Sequence, residues 1–244
     1  MSSTRERDQA RAVVGAGPTS SLPKTLRALI FDFDGTLAAG RYDFQAMRER
    51  VYDLARGSGV SAEALEGLYV LEAVECAAAI IEAGAGDAAR FRDEAERIIL
   101  EVELDGARGA HLLPGVAQAM AVLNEAGYRL AIVTRNSRAA IATIPGASSL
   151  VCDAFLTRES VGRVKPHPDH PTAALASVKC AAQNAAMVGD HPMDIAAGKA
   201  VGAATIGVLT GAGTRETLAA AGADLILDSV VELAQKLVDA PRDT

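Results

Sequence analysis

No apolar run in this 244-residue sequence approaches the roughly 20 residues that a membrane-spanning helix requires, so no membrane partner is expected. A basic cluster is also missing. The formal net charge is −7 and the Lys and Arg residues are scattered, which leaves no field to hold nucleic acid. The three cysteines, Cys76, Cys152 and Cys180, form no CxxC pair, and their wide spacing fits reduced thiols in a cytoplasmic protein better than a disulfide framework. The four histidines, His111, His167, His170 and His191, show no zinc-type spacing, and His167 and His170 fall in a Pro-broken stretch that reads as a loop. Structural roles are expected for them. No internal repeat and no low-complexity tract is apparent, and no lysine occurs between Lys24 and Lys165.

What is present is the composition of a globular chain: 50% hydrophobic and 23% charged residues exclude a disordered one. A chain of this length buries a sizeable core, either as one large domain or as a core carrying an insert. Residues 1–25 are rich in Ser, Thr, Arg, Gly and Pro without periodicity and lack an apolar signal core, so they are expected to form a flexible tail without a targeting role. From Leu26 onward, short apolar runs alternate with helical segments, the pattern of a doubly wound parallel α/β sheet. The expected strands span 27–33, 128–133, 154–156, 185–188, 203–208 and 224–227, and the expected crossover helices span 116–126, 172–180, 194–201 and 214–221. Gly127, Gly202 and Gly222 stand where helices would stop.

Residues 43–105 break this alternation and read as about three helices. Phe44, Met47, Val51 and Leu54 form one apolar stripe, and Phe91, Ala95, Ile98, Ile99 and Val102 form another. The expected organisation is therefore an α/β core from 26–40 and 110–244, with a helical cap at 41–109 held on two loops in the manner of a movable lid.

Four stretches at the ends of apolar runs carry chemistry. The first run ends in Asp32-Phe33-Asp34-Gly35-Thr36, and two acids directly after a buried strand would ordinarily be avoided. If Asp32 attacks a phosphorus atom, Asp34 can protonate the leaving oxygen and later deprotonate a water; a turn capped by Asp is the plain alternative. The second run leads into Thr134-Arg135-Asn136-Ser137, a cradle for phosphate oxygens or simply a helix cap. Lys165 precedes Pro166, which fixes the local backbone. Most lysines are solvated, but a nucleophilic carboxylate sharing a site with phosphate needs a fixed cation. The fourth stretch, Gly189-Asp190 with Asp194 one helical turn on, suits a hard cation such as magnesium, although an acidic first turn of a helix would look the same. All four stretches fall where ligands bind in open α/β sheets, beyond the carboxyl ends of the strands.

Taken in order, Asp-x-Asp, Thr, Lys and Gly-Asp-x-x-x-Asp resemble the motifs of the haloacid dehalogenase-like hydrolase superfamily, in its phosphoglycolate phosphatase-like branch with an inserted helical cap. The resemblance extends from about residue 26 to 238. It implies a magnesium-dependent phosphatase that hydrolyses a small phosphorylated metabolite through an aspartyl phosphate. Asp32 would be the nucleophile, Asp34 the general acid/base, and Lys165 the neutralising cation. Thr134 would hold a phosphate oxygen, helped by Thr36, Arg135 and Asn136. Asp32, the backbone carbonyl of Asp34 and Asp190 would bind magnesium, supported by Asp194. Arg135 departs from the small or amide residue common among relatives, and Arg41 and Arg48 are candidates to read the non-phosphate end of the substrate.

Other chemistries of this fold are less well matched. A 2-haloacid dehalogenase needs neither magnesium nor an acid for a leaving alkoxide, yet Asp34 and Asp190 are present. A phosphonate hydrolase of the superfamily needs a cap lysine, which this chain lacks. A β-phosphoglucomutase-like phosphomutase differs only in how its cap excludes water. A response-regulator receiver is about half as long and has no helical insert, and a member reduced to an interaction role would be expected to lack Asp34 or Lys165.

Overall fold

The computed structural model describes residues 22–239; the expected tail lies, up to residue 21, outside them. Strand β1 (Ala28–Asp32) is followed by a tight turn, a two-residue strand β2 (Ala38–Ala39), and three helices: α1 (Phe44–Gly57), α2 (Val70–Ala83) and α3 (Ala88–Ala107). The chain returns through β3 (His111–Leu112) and continues as α4 (Val116–Glu125), β4 (Arg129–Val133), α5 (Arg138–Thr143), β5 (Ala154–Leu156) and α6 (Asp169–Ser177). It then runs through β6 (Ala185–Gly189), α7 (Pro192–Val201), β7 (Ala204–Val208), α8 (Arg215–Ala220), β8 (Leu225–Leu227) and α9 (Val230–Asp239). The main sheet has the order β5-β4-β1-β6-β7-β8, and every neighbouring pair is parallel.

The central position of β1 follows from its sequence, because all five residues of Ala-Leu-Ile-Phe-Asp are buried, as a strand covered on both faces requires. Leu29 and Phe31 pack on one face with Met120, Leu123 and Leu233, while Ala28 and Ile30 pack on the other with Ala174 and Leu175. Each fully buried Leu, Ile or Phe contributes about 1.5–3 kcal/mol. The strand order reverses at β1, between β4 and β6, so the crevice for a ligand opens at the end of the strand that carries Asp32.

The helices α1 to α3 have a core of their own, built from Val51, Ala55, Ala73, Ala77, Phe91 and Ile99, separate from the clusters that cover the sheet. Side-chain caps fix where two of these helices begin: Asp43 accepts from the Ala46 N–H at 2.8 Å, and Asp87 from the Arg90 N–H at 3.0 Å. Phe44 departs from the expected stripe. It is the first residue of α1, it stacks on Tyr42 with ring centroids 5.5 Å apart, and it is 59% exposed.

The six expected strands are found within two residues of their predicted limits. Helix α6 starts three residues before the predicted 172, so His170 lies in its first turn and not in a loop. The reason is that Pro168 and Pro171 sit where a helix leaves its N–H groups unpaired, and there proline does not break it. The antiparallel β2–β3 ribbon, which joins the three helices to the sheet domain, was not anticipated, since two-residue strands carry no readable alternation. No helix among the described residues is long and apolar enough to cross a membrane.

Candidate active site

The four motif stretches meet at the carboxyl ends of β1, β4 and β6. Asp32 is the last residue of β1, and the turn after it is closed by the Gly35 N–H to the Ala38 carbonyl at 2.7 Å and the Leu37 N–H to the Phe33 carbonyl at 2.8 Å. Gly35 has a φ of +84°, and a Cβ there would lie 2.6 Å from the Asp190 carboxylate, so both the turn and its close approach to β6 require glycine.

Lys165 is 2% exposed, unlike an ordinary surface lysine. Its Nζ touches Asp32 Oδ1 and donates to Asp194 Oδ1 at 2.7 Å. Burial alone would lower its pKa, but Asp194 and Asp32 more than offset this and hold the ammonium charged. Asp194 is itself fixed by a capping box at the start of α7, where its Oδ2 accepts from the His191 N–H at 3.0 Å. A Cβ at Gly189 would collide with Asp194, and the missing side chain lets that carboxylate reach back beneath the loop.

Asp190 accepts from the Thr36 hydroxyl at 3.1 Å and from the Ala212 N–H at 2.8 Å. Carboxylate oxygens of Asp32, Asp190 and Asp194, all buried, lie within 4.8 Å of one another. Burial, opposed by Lys165, leaves the pKa of Asp32 well above the usual carboxylate range, and burial with the charge of Asp194 also raises that of Asp190. Three buried carboxyl groups facing a single lysine form an oxygen-rich, under-compensated donor set, which suits a hard divalent cation.

Asp34 presents its two oxygens differently. Oδ2 accepts from the Thr134 hydroxyl at 3.1 Å, whereas Oδ1 is buried without a hydrogen-bond partner among the described residues. Burial raises its pKa, and the neighbouring hydroxyls and Lys165 only moderate the rise. Thr134 is held in turn by the Asn136 N–H, which donates to its Oγ1 at 3.0 Å, and the Asn136 side chain accepts from the Ser137 N–H at 2.9 Å.

Two expected phosphate contacts already have partners within the protein. Thr36 is fully buried and spends its hydroxyl on Asp190, so it sits behind the carboxylate instead of facing the cavity. Arg135 reaches α2: Nη1 and Nη2 each donate to Glu72 at 2.8 Å, Nη1 also meets the Lys165 carbonyl, and the guanidinium lies 5.1 Å from the Tyr69 ring centroid. An arginine held bidentately by a carboxylate makes a bond between core and inserted helices.

Three residues were missed in the sequence. Tyr42 lies against Asp34 with its hydroxyl buried but unpartnered, and its ring fills the space left by Gly40 and Gly106, where a Cβ would collide. Nothing in a lone tyrosine after a motif loop announces this. Glu103 is 4% exposed and bonds Arg158, whose Nε donates to Oε1 at 3.1 Å; the Arg158 Nη1 and Nη2 also donate to Glu96, each at 2.7 Å. A signal existed for Glu103, because Phe91, Ala95 and Ile99 step by four along α3 and the next step on that buried stripe is this acid. The third, Glu72, reads as an ordinary helix-surface acid until Arg135 is seen against it.

The model of the haloacid dehalogenase-like hydrolase family matches residues 26–202. The chain is 34% identical to "Probable phosphatase IndB" of Dickeya dadantii over half of its length, a match that spans 54% of that relative. It is 29% identical to "Phosphoglycolate phosphatase" of Rhodospirillum rubrum, over 85% of this chain and 89% of the relative. Among solved structures, a hydrolase from Pseudomonas syringae superposes with a TM-score of 0.65 at 19% identity, covering 86% of this chain and 97% of the other, which is a likeness of fold.

Proposed function

The chain belongs to the haloacid dehalogenase-like hydrolase family, and from that premise we propose that it is a phosphatase that forms an aspartyl phosphate on Asp32. The observation that carries the reading is the asymmetry of the Asp-x-Asp pair. Asp32 faces the fixed cation Lys165, as a carboxylate nucleophile must, while Asp34 makes no ion pair, meets the hydroxyls of Thr134 and Tyr42, and is pushed by burial toward its protonated form. In the first half-reaction an Asp32 oxygen bonds to phosphorus, the bond to the ester oxygen breaks, and Asp34 gives that oxygen its proton. In the second, water attacks the same phosphorus and yields a proton to Asp34 as the bond to Asp32 breaks, releasing inorganic phosphate.

Thr134 orients Asp34 through its hydroxyl and, with the backbone of 135–137, would hold an oxygen of the transferred group. Lys165 offsets the repulsion between Asp32 and an incoming phosphate. Asp32, Asp190 and the Asp34 carbonyl would hold a magnesium ion, with Asp194 supporting that set. Such an ion, when bound, neutralises charge on the phosphoryl oxygens. Residues 41–109 serve as a cap over the core of 26–40 and 110–244, a division supported by the separate apolar cluster of α1 to α3.

The test is turnover of 4-nitrophenyl phosphate. Activity is expected to disappear on chelation and to return with magnesium; undiminished turnover by metal-stripped protein would contradict the assignment.

A further inference from the structure

Beyond Asp32 and Asp34 the crevice widens, between the sheet ends and the inserted helices, into a cavity of about 760 Å³. That is the size range of sites for whole drug-sized ligands, roughly 300–1,000 Å³, and much more room than a phosphate with a two-carbon acid would fill. Its apolar lining includes Phe44, Met47, Tyr69, Val70, Leu71 and Ile99. Phe44 is 59% and Tyr69 39% exposed, two of the five large hydrophobic residues left open to solvent among those described. Neither exposure is needed by the fold, and both fall on this cavity.

The charged residues of the same lining point in the same direction. Of the five acids in the lining, Glu103 is paired with Arg158 outside it, which leaves Asp32, Asp34, Asp190 and Asp194 with three cations, Arg48, Arg135 and Lys165. Lys165 is committed to Asp32 and Asp194, and Arg135 to Glu72. Arg48 directs Nη1 to the Leu68 carbonyl at 2.9 Å and Nη2 to the Tyr52 hydroxyl at 2.6 Å, with its guanidinium 4.7 Å from the Tyr52 ring centroid. Arg41 is not in the lining. A second anionic group on the substrate would meet no cation left without a partner.

Resting on the phosphatase reading, we propose that the preferred substrate is a monophosphate ester of a bulky, apolar, uncharged alcohol, aromatic or branched aliphatic, and not an ester bearing a carboxylate or a second phosphate. The apolar group lies against Phe44, Met47, Tyr69 and Ile99 while the phosphate reaches Asp32. Each methylene moved from water into such a wall gains about fourfold in affinity. This separates the chain from the substrate named for its Rhodospirillum rubrum relative.

The experiment is calorimetric titration of the full chain, with magnesium present, by phenylphosphonate and by phosphonoacetate. Their P–C bonds are not esters, so binding is read without turnover. Phenylphosphonate is expected to bind at least about tenfold tighter, the gain of roughly two buried methylenes. Phe44 is exposed, so F44R should fold; it is expected to weaken phenylphosphonate and tighten phosphonoacetate. In R48Q the affinity for phosphonoacetate should stay as it was. Equal or inverted affinities in the parent protein, no binding of either compound, or a loss confined to phosphonoacetate in R48Q would each overturn the proposal. The two readings fail separately: turnover of 4-nitrophenyl phosphate with inverted affinities removes only the substrate class, whereas the expected affinities without any turnover remove the phosphatase.

Discussion

At the scale of single residues, the site is built by giving each polar group a fixed partner and leaving a few without one. His170 is fully buried behind Lys165, with Nε2 donating to the Leu156 carbonyl at 3.3 Å and Nδ1 unpartnered among the described residues. Burial, with the charges of Lys165 and Arg135, lowers its pKa to about 4. The unfolded chain binds a proton near pH 6.5 that the folded chain refuses until about pH 4, so this group's contribution is retained above pH 6.5 and lost as pH falls through that window. At about 1.36 kcal/mol per pH unit, the loss approaches roughly 3 kcal/mol. Urea titrations at pH 7 and pH 4.5 should therefore show His170→Gln losing about 2–3 kcal/mol less between the two pH values than the parent; parallel losses would contradict the assignment. In the sequence His170 was one of four unremarkable histidines, since Lys165, five residues before it, reads as a solvated side chain until the fold buries both.

At the scale of elements, the three inserted helices are joined to the sheet domain by the β2–β3 ribbon and by two arginine clamps. Arg135 holds Glu72 on α2, and Arg158 holds Glu96 and Glu103 on α3. The second clamp is the drier, with side-chain exposures of 8% for Arg158 and 5% for Glu103. Removing one member of such a buried pair leaves the other charged and unpaired, which costs about 3–5 kcal/mol. Arg158→Leu is expected to lower unfolding free energy by that amount. Arg50, whose partner Glu101 is 69% exposed, should lose no more than about 1 kcal/mol as Arg50→Leu. Since the chain has no Trp, far-UV circular dichroism is the natural probe, and equal effects of the two substitutions would show that the α3 clamp contributes nothing special. The elements themselves were largely legible, because buried parallel strands and amphipathic helices write their periodicity locally. The clamps were not, since Arg158 and Glu103 are distant in sequence and only the fold brings them together. Helix α9 was also unforeseen, although Leu233, Ala234 and Leu237 cover one face of the sheet.

At the scale of the whole molecule, a parallel sheet whose strand order reverses at β1 brings four short sequence stretches to one crevice, and the inserted helices line it with apolar side chains. The cluster of acids was readable in advance because acids at the ends of buried strands are conspicuous. The assignment of partners was not: Thr36 turned to Asp190 and Arg135 to Glu72 because those carboxylates, invisible as neighbours in the sequence, were the nearest groups in need of donors. The central claim is the division of labour between Asp32 and Asp34. It is tested most directly by intact-protein mass spectrometry after rapid acid quench of variants mixed with 4-nitrophenyl phosphate and magnesium. Asp34→Asn retains the nucleophile but not the group that activates water, so it should accumulate a phosphoryl adduct; Asp32→Asn should show none. An adduct on Asp32→Asn but not on Asp34→Asn would reverse the two roles, and an adduct in neither would replace the covalent route with direct attack by water.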